Sequence, residues 1–213
     1  MVLDIHPEVK AVVGELHDQA LEDRERWQQR TGHNNSTGNA QGGGDLVRLG
    51  EFYLAVSEEE GAFLYIMARA MKARRIVEFG ASFGISTLYL AAAALENGGS
   101  VTTTEVHPDK CATLRSTFAK AGLSDVITLL EGDARETLAD VDGPIDLLFL
   151  DGWKSAYLPV YELIRPKLVP GSVIFADNCH HEAAADYLET VQSAISGCQT
   201  VIQADMAISY VAS

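Results

Sequence analysis

Arg75-Ile76-Val77-Glu78-Phe79-Gly80-Ala81-Ser82-Phe83-Gly84-Ile85-Ser86-Thr87 passes from a short apolar run through two glycines into a helix-compatible segment. That order reads as strand, tight turn and helix N-terminus. Gly80 supplies a backbone conformation closed to other residues, and Gly84 lets the main chain approach something bound above the strand's carboxyl end. The dinucleotide fingerprint needs a third glycine, and the phosphate loop needs Gly-Lys-Ser/Thr at its end. Neither is present, so the turn reads as a cofactor site with little phosphate-cradling character.

Toward the N-terminus, Ser57-Glu58-Glu59-Glu60 is a capping box, and Phe63, Ile66, Met67, Ala70 and Met71 recur at helical spacing up to Arg74. Residues 31–44 are rich in Gly and Asn, which predicts a flexible loop, either a lid that orders on substrate or a connector. Ahead of it, residues 7–30 place Val9, Val12, Val13, Leu16, Ala20 and Leu21 on one face of an amphipathic helix. The whole chain, 1–213, then reads as one domain, with 1–50 as a helix-and-loop substrate region and 51–213 as the cofactor-binding core.

Toward the C-terminus, a helix from Ile85 to Leu95 stops at Asn97-Gly98-Gly99, and the β-branched run Val101–Thr104 closes on Glu105. His107-Pro108-Asp109 opens a helix ending near Gly122; Val126–Leu130 is a strand, and Asp133–Glu136 repeats the capping pattern. Ile145–Leu150 is an apolar strand ending at Asp151, a helix covers about 155–168, and Ser172–Ala176 is a strand ending at Asp177-Asn178. Strands alternating with helices predict an α/β fold with a doubly wound, mostly parallel sheet. Thr200–Gln203 and Met206–Val211, joined by Ala204-Asp205 with no helix between, predict a terminal antiparallel hairpin.

Sixteen Lys and Arg against 30 Asp and Glu give a net charge of −14, which repels nucleic acid backbones and anionic membranes and favours small-molecule or protein partners. Three cysteines without CxxC spacing argue against a disulfide framework, and Asp4, His6 and Glu8 interrupt the one candidate leader. A cytoplasmic setting is expected.

Glu78, Glu105, Asp133, Asp151 and Asp177 all fall at or just beyond predicted strand ends, the rim where open α/β sheets bind ligands. Glu105 is placed to accept from a ribose diol, and Asp133 to read an adenine amino group. The plainer readings are that Asp133 caps a helix and Glu78 satisfies backbone donors at the turn. An acid at the second strand end is shared with NAD sites and does not choose the cofactor.

Val77–Ser86, Glu105, Gly132-Asp133-Ala134, Leu150-Asp151-Gly152-Trp153-Lys154 and Ala176-Asp177-Asn178 together resemble the class I S-adenosylmethionine-dependent O-methyltransferases of the catechol and caffeoyl-CoA type. The resemblance covers about residues 50–178. It implies a Rossmann-like seven-stranded sheet in which the antiparallel last strand inserts beside the fifth. It also implies that Val56, Glu78, Gly80, Ser86, Glu105, Asp133, Ala134 and Asp151 hold S-adenosylmethionine. Asp151, Asp177 and Asn178 would bind Mg²⁺ or another divalent cation, for which two carboxylates and an amide oxygen are suitably hard ligands. Lys154 matches the general base, and a homodimer is expected. Trp153 and Tyr157 could pack on an aromatic acceptor or fill the space beneath the rim.

The implied activity is methyl transfer to a hydroxyl of a catechol-like or secondary-metabolite acceptor. Three alternatives stand beside it: metal-independent N-methylation, a nucleotide-dependent oxidoreductase and a non-catalytic binding protein. Gly152, Ala204-Asp205-Met206 and Cys179-His180-His181 depart from the family pattern. The last triplet could add a softer metal ligand or simply begin the next helix in polar fashion.

Overall fold

A computed structural model of the chain describes residues 2–31 and 56–212, with side chains described for 2–22 and 56–212. Helix α1 spans Pro7–Thr31 and α2 Glu58–Ala70. Then β1 (Arg75–Phe79), α3 (Ile85–Asn97), β2 (Ser100–Glu105), α4 (Pro108–Lys120), β3 (Ile127–Glu131), α5 (Ala134–Thr137) and β4 (Ile145–Leu150) follow. Helix α6 (Tyr157–Ile164), β5 (Leu168–Ala176), α7 (Ala185–Gln192), β6 (Cys198–Gln203) and β7 (Met206–Val211) complete the order. The strands form one sheet in the order β3-β2-β1-β4-β5-β7-β6. All neighbours are parallel except the two pairings of β7, which lies between β5 and β6 and runs against both. The expected fold class is what is found, including the inserted last strand.

Successive residues of the central strands point to opposite faces of the sheet. Ile76, Leu147, Phe149, Val173 and Phe175 enter a core with α1, α2, α3 and α4. Val77, Leu148, Leu150, Ile174 and Ala176 enter the other, with α5, α6 and α7. Strands covered on both sides read as unbroken apolar runs, as Leu147–Leu150 does. The Ala-rich body of α3, buried from Ile85 to Ala94, lies in the middle of the first layer.

The helical face proposed for α2 is offset from the one that is buried. Gly61, Leu64, Tyr65 and Ala68 face inward, whereas Ile66 is 51% exposed. Contact with α3 sets this rotation: a Cβ on Gly61 would sit 2.3 Å from the Tyr89 ring, so the glycine edge must face α3. Phe63, Met67 and Met71 flank the core, half-buried. In α1, Val9, Val12, Val13 and Leu16 are buried as expected, while Leu21 is 58% exposed because it lies past the part of the helix that crosses α3 and α4. The loop proposed for residues 31–45 lies outside the described residues, apart from Thr31 at the end of α1.

The capping box forms: Ser57 Oγ accepts from Glu60 N at 3.2 Å and Glu60 Oε2 accepts from Ser57 N at 2.7 Å. Ser57→Ala is expected to cost about 1 kcal/mol and to lower the thermal midpoint by roughly 2–4 °C for a chain of this size. Urea unfolding with an unchanged slope and a lower midpoint checks it; an unmoved midpoint would show that the cap contributes nothing.

Candidate active site

Gly80 follows β1 at φ +100°, where a Cβ would lie 2.7 Å from the Cα of Gly152. The turns after β1 and β4 therefore touch backbone to backbone. A Cβ on Gly152 would in turn meet the Phe79 ring at 2.4 Å, so this departure from the family pattern is matched by an aromatic filling the space. Gly84 departs from expectation. At φ +93° a Cβ there would lie 2.9 and 3.0 Å from Leu114 and Phe118 of α4, so its bare face admits side chains of the core rather than a ligand.

The donors of the turn are spent within the protein. Gly80 N donates to Thr104 Oγ1, Ala81 N to Thr104 O, Ser82 N to Glu105 Oε2 and Gly84 N to Ala81 O. These four amides are therefore not open to a phosphate.

Glu78 is fully buried, and its oxygens accept from Ser86 Oγ at 2.6 Å, Thr87 Oγ1 at 2.5 Å and Thr103 Oγ1 at 2.5 Å. Burial pushes its pKa up, and the three hydroxyls pull against that. Its partners are side-chain hydroxyls rather than the backbone donors considered from sequence. Glu105 Oε1 accepts from Val106 N and His107 N, each at 2.9 Å, which fixes the carboxylate at the end of β2.

Asp133 caps α5 by accepting from Arg135 N at 2.9 Å, and the Arg135 guanidinium grips both its oxygens. That grip holds its pKa below the usual carboxylate range. Ala134 and Val56 are both buried.

At the adjoining ends of β4 and β5, Lys154 Nζ lies 3.2 Å from Asp151 Oδ1 and donates to Tyr157 Oη at 2.8 Å. The Tyr157 hydroxyl is 2.8 Å from both Leu150 O and Asp177 O, so it ties the two strand ends together. Tyr157 itself is fully buried, edge-on to Phe79 and Tyr187. It fills the space beneath the rim and offers no ring face to an acceptor, which corrects the first of its two proposed roles. Trp153 is half-buried against the same core.

Burial first, and the neighbouring Asp151 next, raise the Asp177 pKa to about 7. Asp151 is also raised by burial, against the pull of Lys154. Glu60 adds negative charge on both. A pair of acids made costly to ionise together, with exposed Asn178 turned at φ +49° beside them, is a donor set that suits a hard cation.

Lys110 was missed in the sequence. It is 5% exposed, donates to Ser82 Oγ at 3.1 Å and lies 4.9 Å from the Phe83 ring, so it braces the glycine turn from below. Desolvation lowers its pKa and Glu105 opposes that. The signal was available, since Lys110, Leu114 and Phe118 share one helical stripe and a lysine there must be buried.

Residues 77–179 match the family model described as a methyltransferase domain. The chain is 31% identical over 158 residues to catechol O-methyltransferase B of Danio rerio, a match covering 71% of this chain and 60% of that protein's length. With catechol O-methyltransferase of Sus scrofa it shares 30% identity over 145 residues, 64% of this chain and 77% of the relative. The fold superposes on an O-methyltransferase from Bacillus cereus in complex with SAH at a TM-score of 0.70 and 21% identity, covering 93% of this chain and all of that one. With the inserted last strand, the glycine turn and the strand-end acids in place, the chain belongs to the class I S-adenosylmethionine-dependent O-methyltransferases of the catechol and caffeoyl-CoA type.

Proposed function

We propose that this protein transfers the methyl group of S-adenosylmethionine to a hydroxyl of a small catechol-like aromatic or secondary-metabolite acceptor. The observation that carries the reading is the junction of β4 and β5, where Lys154, Asp151 and Asp177 are held together through Tyr157. An amine and two buried carboxylates on one rim suit removal of a proton from a phenol.

In this reading Gly80, Ser86, Glu105, Asp133 and Ala134 hold the donor, with Val56 and Glu78 shaping its site. The missing third glycine of the dinucleotide fingerprint favours a sulfonium donor over a dinucleotide. The Bacillus cereus neighbour was solved with SAH. Asp151, Asp177 and Asn178 would hold a divalent cation, which supplies a positive charge that lowers the pKa of a hydroxyl brought beside it.

The acceptor oxygen attacks the methyl carbon in line with the carbon–sulfur bond. That bond's electron pair stays on sulfur, giving S-adenosylhomocysteine, and Lys154 Nζ, acting as general base, takes the hydroxyl proton. Alignment by the fixed strand ends supplies much of the rate. Trp153 is the remaining aromatic candidate for acceptor contact, and residues 1–50 the region that shapes acceptor choice. The same reading takes the protein as a cytoplasmic homodimer; its three cysteines are free, and among the described residues no helix is long and apolar enough to cross a membrane.

Calorimetry is the test of donor binding. Glu105→Ala is expected to weaken S-adenosylmethionine at least about tenfold, the 1.4 kcal/mol or more that a charge-assisted hydrogen-bond acceptor contributes. Undiminished affinity would remove Glu105 from the donor site, and no heat with the wild-type protein would overturn the reading itself.

A further inference from the structure

Beyond the hard-cation site, two turns meet behind β5. The segment following that strand bends at Asn178 (φ +49°), and the β6–β7 hairpin bends at Ala204 (φ +55°). Cys179 N donates to Asp205 O at 2.9 Å and His180 N to Asp205 Oδ1 at 3.1 Å, so the backbone and carboxylate of Asp205 hold the two turns in register. One ligand atom each from Cys179, His180 and Asp205 lies within 4.8 Å of the others. His180 Nε2 is 3.1 Å from Ala204 O. A carbonyl only accepts, so Nε2 carries the proton and the lone pair is left on Nδ1. Metal-bound imidazoles are held by this kind of outer hydrogen bond, with the second nitrogen donating to a backbone carbonyl.

We propose that Cys179, His180 and Asp205 form a zinc-type transition-metal site that staples the β6–β7 turn to the segment after β5. Thiolate and imidazole are softer than the two carboxylates and amide of the neighbouring site, so the two donor sets select different ions, zinc or cobalt here and magnesium or calcium there. Three protein ligands leave a fourth position for water, and the exposed His180 and Asp205 give an ion a path to the buried Cys179. The methyl-transfer reading does not depend on this site, nor this site on that reading.

The test uses the full chain stripped with EDTA and titrated with Co²⁺ in the absence of any methyl donor. Expected is a thiolate-to-cobalt charge-transfer band saturating near one equivalent, displaced by Zn²⁺ and unaffected by excess Mg²⁺. The band should vanish in Cys179→Ser, persist in Cys111→Ser and Cys198→Ser, and need at least about tenfold more Co²⁺ in Asp205→Ala. Zn²⁺ should also raise the thermal midpoint of the wild type and not of Cys179→Ser. If Cys179→Ser does not fold, the exposed Asp205→Ala carries the test. A wild-type protein without the band, or a band that survives loss of Cys179 or is indifferent to loss of Asp205, overturns the proposal.

Discussion

Asp177→Ala should lower kcat/KM toward a catechol at least about 100-fold, a loss of roughly 2.7 kcal/mol in transition-state stabilisation, with donor affinity nearly unchanged. EDTA should do the same to the wild type, and added Mg²⁺ should restore it. The motive is the raised Asp177 carboxyl: burial and the nearby Asp151 make two charges expensive there, and a cation would relieve both. Calorimetry separates donor binding from transfer, because Glu105 and the glycine turn lie on β1 and β2. Full turnover in EDTA together with an active Asp177→Ala protein would transfer the acids to a structural role and favour metal-independent N-methylation.

Lys154→Ala should reduce kcat by about 10²–10⁴, the span of a positioned general base, while changing KM for the donor little. Its amine is held at 2.8 Å from Tyr157 Oη and 3.2 Å from Asp151, a posture that a surface lysine would not keep. Because the ammonium also offsets Asp151, the variant must be measured at saturating Mg²⁺ so that weakened cation binding is not mistaken for lost base. Lys154→Arg retains the charge but cannot act as a base, and it should stay as slow as the alanine. Turnover near wild type in either variant sinks the base assignment.

Much of this arrangement could be read from one chain because the strands report themselves. Leu147–Leu150 is apolar on both faces and ends on an acid, and Ile76-Val77 does the same before Glu78 and the glycine turn. Glycine at 80 needed no structure to flag it, since φ +100° is closed to other residues at low cost. What failed was partner identity. Gly84 was read as opening toward a ligand, and only the fold shows Leu114 and Phe118 against it. The buried edge of α2 was misjudged for the same reason, because Tyr89 chooses it from a different helix. For Tyr157 the sequence leaves acceptor contact and space-filling beneath the rim both open, until β5 brings Asp177 O to its hydroxyl. Periodicity gives each element its inner face, but side chains from distant elements decide what that face must accommodate.

The place of β7 has a consequence for how the chain is made. Its residues 206–211 leave the ribosome after every other strand of the sheet, yet they occupy an interior position and supply the bonding partner for both β5 and β6. During synthesis β5 must wait with an open edge, and β6 has no neighbour at all until about Val211 has emerged. The β4–β5 junction bearing Asp151 and Asp177 thus stays half-framed while residues 178–211 are made. A chain stalled before Met206 would carry two unsatisfied strand edges, a state prone to pairing with another chain.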